Sequence, residues 1–111
     1  MPDETPAPAA QKTVDAIVRQ AMNDHLRSLI AGQPERVRHD FAESIRDRTA
    51  ELESLVPRHL KSYDFLEDRV EADNTSRMVV RLQGDESREL EWVWRSVDGR
   101  FRIVEIRPAA R

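Results

Sequence analysis

The sequence predicts an α+β fold in which N-terminal helices pack on one face of a curved antiparallel sheet. Apolar residues recur at helical spacing up to about Val56, and from Tyr63 onward the period changes to two. The pair Asp98-Gly99 then joins two alternating stretches, which is typical of a tight β-hairpin. At 111 residues the chain has room for one domain, which we place at residues 12–108.

Composition excludes several classes of function. The net charge is −3, without the basic excess that nucleic-acid binding requires. The chain has no cysteine, which removes disulfides, thiolate nucleophiles and most structural zinc sites. No apolar run approaches the roughly 20 residues of a membrane span. The first residues are acidic and proline-containing, unlike a signal peptide, so we expect a cytoplasmic protein that contacts no membrane.

The N-terminal region divides into a tail and a helix. Residues 1–11 contain three prolines and no large apolar residue, which predicts a disordered tail. The alternative is a tail that docks a partner. From about Thr13 to Ala31 an apolar stripe predicts the first helix, and Gly32 followed by Pro34 predicts its end.

A second helical region follows at about residues 34–56. Pro34 is suited to a first helical position, and Val37, Phe41 and Ile45 continue at a spacing of four. The region is either one long helix or two shorter helices that meet near residues 46–50. We favour a break, because the apolar stripe drifts across Thr49.

Four strands complete the prediction, at about residues 63–72, 77–83, 90–97 and 100–107. A two-residue turn at Asp98-Gly99 sets Trp94 opposite Ile103 and Val93 opposite Val104. In the preceding hairpin, a three-residue loop at residues 85–87 sets Leu82 opposite Leu90. One face then carries the residues of the expected core, which are Met78, Val80, Leu82, Leu90, Trp92, Trp94, Phe101 and Ile103.

The second sheet face predicts self-association. Val79, Val93 and Val104 form one row across three strands, with Val97 and Ile106 nearby. Charged residues, among them Arg81 and Arg95, surround this row. β-branched residues are also simply good strand formers. The sharper interpretation is that the row meets a second copy of itself or another partner, most simply in a homodimer.

The layout resembles the nuclear transport factor 2-like superfamily, which has a cystatin-like α+β fold. The similarity lies in the helix end and restart at residues 29–37 and in the closing hairpin at residues 94–106. The resemblance implies a conical cavity between helices and sheet that binds a small molecule, and dimerisation through the open sheet face. The family's enzymes carry extra strand and loop before the main sheet, whereas residues 41–60 here have a helical pattern.

Four residues are candidates for lining such a cavity. His25 is the ionisable residue on the apolar stripe of the first helix. It could act as a base or contact a ligand. The commoner alternative is a core histidine with one ring nitrogen hydrogen-bonded. Asp40 is a buried acid or a solvated one. A ketosteroid-isomerase-like site would need Asp40 as base and Tyr63 as hydrogen-bond donor, with no residue-by-residue match to support it. Trp94 shares a sheet face with Trp92. The two side chains either belong to the core or form a platform on which bases or sugars stack.

The sequence therefore predicts a non-enzymatic, dimerising binding or assembly module. The alternative is a small-molecule-binding domain or a ketosteroid-isomerase-like enzyme that uses the cavity. No catalytic residue is assigned. We expect neither metal nor cofactor, because the three histidines lack paired spacing and no glycine-rich phosphate loop is present.

Overall fold

The computed structural model describes the backbone of residues 6–109 and the side chains of residues 16–109. Its helices precede a four-stranded, open antiparallel sheet, which confirms the predicted α+β class. The helical elements are α1 (Pro6–Ala31), α2 (Pro34–His39), a 3₁₀ helix (Glu43–Arg48) and α3 (Thr49–Glu53). The strands are β1 (Ser62–Val70), β2 (Ser76–Gln83), β3 (Ser87–Val97) and β4 (Arg100–Pro108), paired in that order.

Helix α1 ends as predicted but begins earlier. Gly32 takes the left-handed conformation at φ +69°, and the Gln33 N–H donates to the Ser28 carbonyl at 3.0 Å, which closes the last turn. The helix starts at Pro6 instead of near Thr13, so residues 6–11 of the predicted tail are helical. Proline is tolerated in a first helical turn and the neighbouring alanines favour helix. Residues 1–5 of that tail lie outside the described residues.

The second helical region is interrupted, as the sequence predicts. It divides into three short helical elements instead of two, and the first interruption follows His39, before the predicted break at residues 46–50. After α2 the chain becomes extended, and Phe41 forms a parallel bridge to Ile103 of β4. The Ile103 N–H donates to the Asp40 carbonyl at 2.7 Å, and the Ala42 N–H donates to the Ile103 carbonyl at 2.8 Å. A helical pattern throughout residues 41–60 is therefore wrong. Backbone bonds to the sheet edge replace the helical ones here, and helical structure after Glu53 is limited to turns.

The predicted pairing of β3 with β4 is confirmed near the turn and is wrong beyond Trp94. Asp98 and Gly99 both have positive φ, and Trp94 pairs with Ile103 as predicted. A bulge follows, so Val93 pairs with Glu105 instead of Val104, and Trp92 pairs with Ile106. One extra residue reverses which face the following residues occupy, so Ile106 belongs to the core.

The β2–β3 pairing differs from the prediction by two residues. Leu82 lies opposite Arg88, and Val80 lies opposite Leu90, because the three-residue loop comprises residues 84–86 instead of the predicted 85–87. Since the shift is even, every side chain keeps its predicted face. The predicted core residues are buried, apart from Phe101, which is half-buried. In the described part of the chain, no helix combines the length and the apolarity needed to cross a membrane.

Candidate functional site

The structure pairs two of the four predicted site residues, His25 and Asp40, and packs a third, Trp94, against His25. His25 on α1 is 1% exposed, and its Nδ1 lies 2.9 Å from Oδ2 of Asp40. Its ring is surrounded by the rings of Phe41, Trp92 and Trp94, with centroids 6.0 to 6.3 Å away. A buried imidazole needs a partner for its ring nitrogens, and the carboxylate supplies one.

Asp40 is held from three directions. It follows the last residue of α2, and its own N–H donates to the Val37 carbonyl at 3.2 Å. Its carbonyl accepts from Ile103 of β4, and its carboxylate contacts His25 of α1. The Asp40 side chain remains 30% exposed. The carboxylate is therefore fixed in place yet open to solvent on one side.

The open side of Asp40 faces a cleft of about 480 Å³. The cleft lies between the C-terminal half of α1, the helix α2 and the β3–β4 turn. Its walls carry charged groups of both signs together with apolar carbon surface; the lining residues are Ala21, Asp24, Ser28, Glu35, Arg36, His39, Asp40 and Arg100. The charged side chains of the cleft consequently offer contacts to a small ligand that carries charge.

The order of the pair limits its chemistry. In a nucleophile-activating triad the carboxylate is buried and the imidazole meets the substrate. Here the imidazole is buried and the carboxylate meets the cleft. Asp40 can accept hydrogen bonds or bind a cation, while His25 positions it from behind. The arrangement supports binding and gives no activated nucleophile.

The other two predicted residues do not line the cleft, although Trp94 contacts the His25 ring from the core. The Tyr63 hydroxyl donates to Oδ1 of Asn23 at 2.9 Å, on the β1 side of the sheet. Asp40 is attached to β4, the opposite edge, so three strand spacings, roughly 14 Å, separate the two elements. Tyr63 therefore does not complete a site with Asp40. Trp94 is fully buried, and its Nε1 lies 3.2 Å from Sδ of Met22.

The interior between helices and sheet is filled by side chains. Large residues occupy it, including Trp92, Trp94, Phe41 and Met22. Beside His25 and Trp92 a void of only about 10 Å³ remains, which is about the size of one water molecule. Among the described residues no group of three or more histidine, aspartate or glutamate side chains is arranged to hold a metal ion.

The open sheet face is charged, and its valines are covered. Val79 is 8% and Val93 3% exposed, and Val104 is the extra residue of the bulge, so the three do not form the predicted exposed row. Ion pairs span this face: Arg77 contacts Glu91 at 3.9 Å, and Arg107 contacts Glu91 at 2.7 Å. The stems of such side chains shield the valines beneath them.

The predicted charged residues lie on this open face. Arg81 pairs with Glu89 at 3.1 Å, and Nε of Arg95 donates to the Thr75 hydroxyl at 3.3 Å. Strand pairing gives seven basic and five acidic residues here, which are Arg69, Arg77, Arg81, Arg95, Arg100, Arg102, Arg107, Asp64, Glu67, Glu89, Glu91 and Glu105. Arg100, opposite Val97, lies at the turn end of the face and also lines the cleft beside Asp40.

Sequence reasoning missed Arg36 and Arg100 as residues of the cleft. Both are exposed charges in a chain rich in arginine, so nothing in the pattern separated them from other surface residues. Their common position depends on the attachment of residues 40–42 to β4, a long-range contact.

No protein-family model matches the chain, and neither curated proteins nor solved structures gave a significant match.

Proposed function

We propose that this chain is a non-enzymatic binding or assembly module of the nuclear transport factor 2-like kind, which pairs with a second copy through its open sheet face. The helix-first order and the closing hairpin support the family assignment. The filled interior favours a binding module over an enzyme with an internal cavity.

The observation that carries the pairing proposal is the charge balance of the open face. Seven basic and five acidic residues are distributed over its four strands. A two-fold interface brings a surface against its own copy, so a face of one sign would repel itself. A face that carries both signs of charge can instead place its acidic residues near basic residues of the partner.

The size of the face sets the expected strength. Strands of about eight residues in a four-stranded sheet cover roughly 500 Å² in projection. A standard interface buries about 800 Å² on each partner and has an apolar centre. The small area and the shielded valines therefore predict a weak, salt-sensitive dimer, with a dissociation constant on the order of micromolar or above.

Sedimentation velocity over a concentration range tests the pairing. We expect the dimer fraction to rise with concentration and to fall as salt is added. The variant R69E/R107E changes two side chains that are more than half exposed on this face, and it should remain monomeric. The matched control R27E/R58E makes the same charge change at exposed positions off the face and should pair like the unmodified chain.

Two results would refute the pairing proposal. One is a monomer at every concentration and salt tested. The other is an unchanged dimer in R69E/R107E, which would place the interface elsewhere. Circular dichroism of each variant establishes that the fold is kept.

A small-molecule-binding domain is the second candidate function. The cleft beside Asp40 favours it, because a positioned carboxylate there faces open space. A ketosteroid-isomerase-like enzyme has less support, since Tyr63 lies on β1, at the sheet edge opposite to the β4 edge that holds Asp40.

A further inference from the structure

We propose that the cleft beside Asp40 binds a small zwitterion, holding its ammonium group at Asp40 and its acid group at Arg36 and Arg100. This inference rests on the second candidate function and is independent of pairing through the sheet face. The ligand is a short molecule with an amine at one end and a carboxylate at the other.

Asp40 is held in place before a ligand binds. Its backbone is bonded to β4 and its carboxylate to the buried His25, so little freedom is lost when a ligand arrives. Oδ2 is occupied by the imidazole. The remaining acceptor capacity of the partly exposed carboxylate is directed to the cleft, where an ammonium group is a suitable donor.

Two arginines supply cationic groups to the cleft. Arg36 comes from α2 and Arg100 from the β3–β4 hairpin, and both line the cleft. Most arginines of the described chain take part in ion pairs, but within residues 16–109 these two guanidinium groups have no hydrogen-bond or ion-pair partner. Guanidinium groups bind carboxylates in a forked geometry, so an acid group of a ligand fits them.

The cleft combines charges of both signs with a volume suited to a small molecule. Asp24 and Glu35 add acidic charge to the walls, so the cleft holds separate positive and negative groups. A ligand with one charge would satisfy one set and approach like charges of the other. The volume of about 480 Å³ falls in the range of small-molecule sites, and the charged side chains of both signs in its walls favour a molecule that carries both charges.

Three matched probes test the inference in ¹⁵N-labelled protein by NMR: γ-aminobutyrate, butylamine and butyrate. We expect γ-aminobutyrate to shift the amide signals of Ser28, Asp40 and Arg100, with an affinity at least about tenfold above that of either single-charge probe. The probes have the same carbon chain, so the comparison isolates the two charges.

Variants then assign the two ends. R36Q/R100Q should lower the affinity for γ-aminobutyrate by about tenfold or more and leave butylamine unchanged. D40N should weaken both amines. The control R27Q removes an exposed arginine of α1 outside the cleft and should bind as the unmodified chain does.

The inference is overturned if γ-aminobutyrate gives no localised shifts, if butylamine or butyrate binds equally well, or if R36Q/R100Q retains full affinity. The monomeric variant R69E/R107E should bind γ-aminobutyrate normally. A failure of sheet-face pairing is therefore distinguishable from a failure of ligand binding.

Discussion

Replacing Asp40 by alanine tests whether the contact with His25 stabilises the fold. In the unmodified chain Nδ1 of His25 lies 2.9 Å from the carboxylate, and the imidazole is 1% exposed. The alanine variant leaves that buried ring nitrogen without its partner. A buried polar group that loses its partner costs about 1–3 kcal/mol, and the partly solvated carboxylate favours the lower half of that range.

We therefore expect D40A to lower the free energy of unfolding by about 1–2 kcal/mol, which at this chain length corresponds to a fall of roughly 3–8 °C in Tm. Urea unfolding followed by tryptophan fluorescence provides the measurement. Both tryptophans, Trp92 and Trp94, are fully buried, so they report on the core directly.

A double-mutant cycle isolates the contact itself. His25→Phe keeps a planar ring among the surrounding aromatic rings and removes the polar nitrogens, and combining it with D40A cancels the packing change. We expect a coupling energy of about 1 kcal/mol between the two residues. The control D47A removes an exposed carboxylate of the 3₁₀ helix and should change stability by less than about 0.5 kcal/mol. Equal effects of D40A and D47A, or a coupling energy near zero, would refute the reasoning.

Two further predictions concern the sheet. Ile106→Ala should cost about 2–4 kcal/mol in urea unfolding, because Ile106 is buried in the core, whereas Val104→Ala at the half-exposed bulge should cost clearly less; the reverse order would contradict the bulge. In the β1–β2 turn, the Thr75 N–H donates to the Asp73 carboxylate, and this bond lowers the pKa of Asp73 below its ordinary value. The carboxylate should then stabilise the fold above its unfolded pKa and lose this effect as pH falls through the lowered folded pKa; a carboxyl ¹³C titration with an ordinary or raised midpoint would contradict it.

The sequence was sufficient for local features whose causes lie within a few residues. The end of α1 follows from Gly32, and the hairpin turn follows from Asp98-Gly99, because glycine and aspartate tolerate the positive φ that these positions need. The alternation of apolar residues in β2 and β3 identified the core face. Even a two-residue error in their pairing left each side chain on its predicted face, since the period of a strand is two.

Long-range contacts decided the remaining features. The bulge that carries Ile106 into the core and leaves Val104 unpaired has no local sequence signal, because it depends on packing against Trp92 and the helices. His25 and Asp40 were each visible as candidates. Their pairing, and the cleft shared with Arg36 and Arg100, exist only because residues 40–42 bond to the edge of β4. Residues on elements far apart in sequence meet only after the chain has folded, so the tertiary structure alone determined the site.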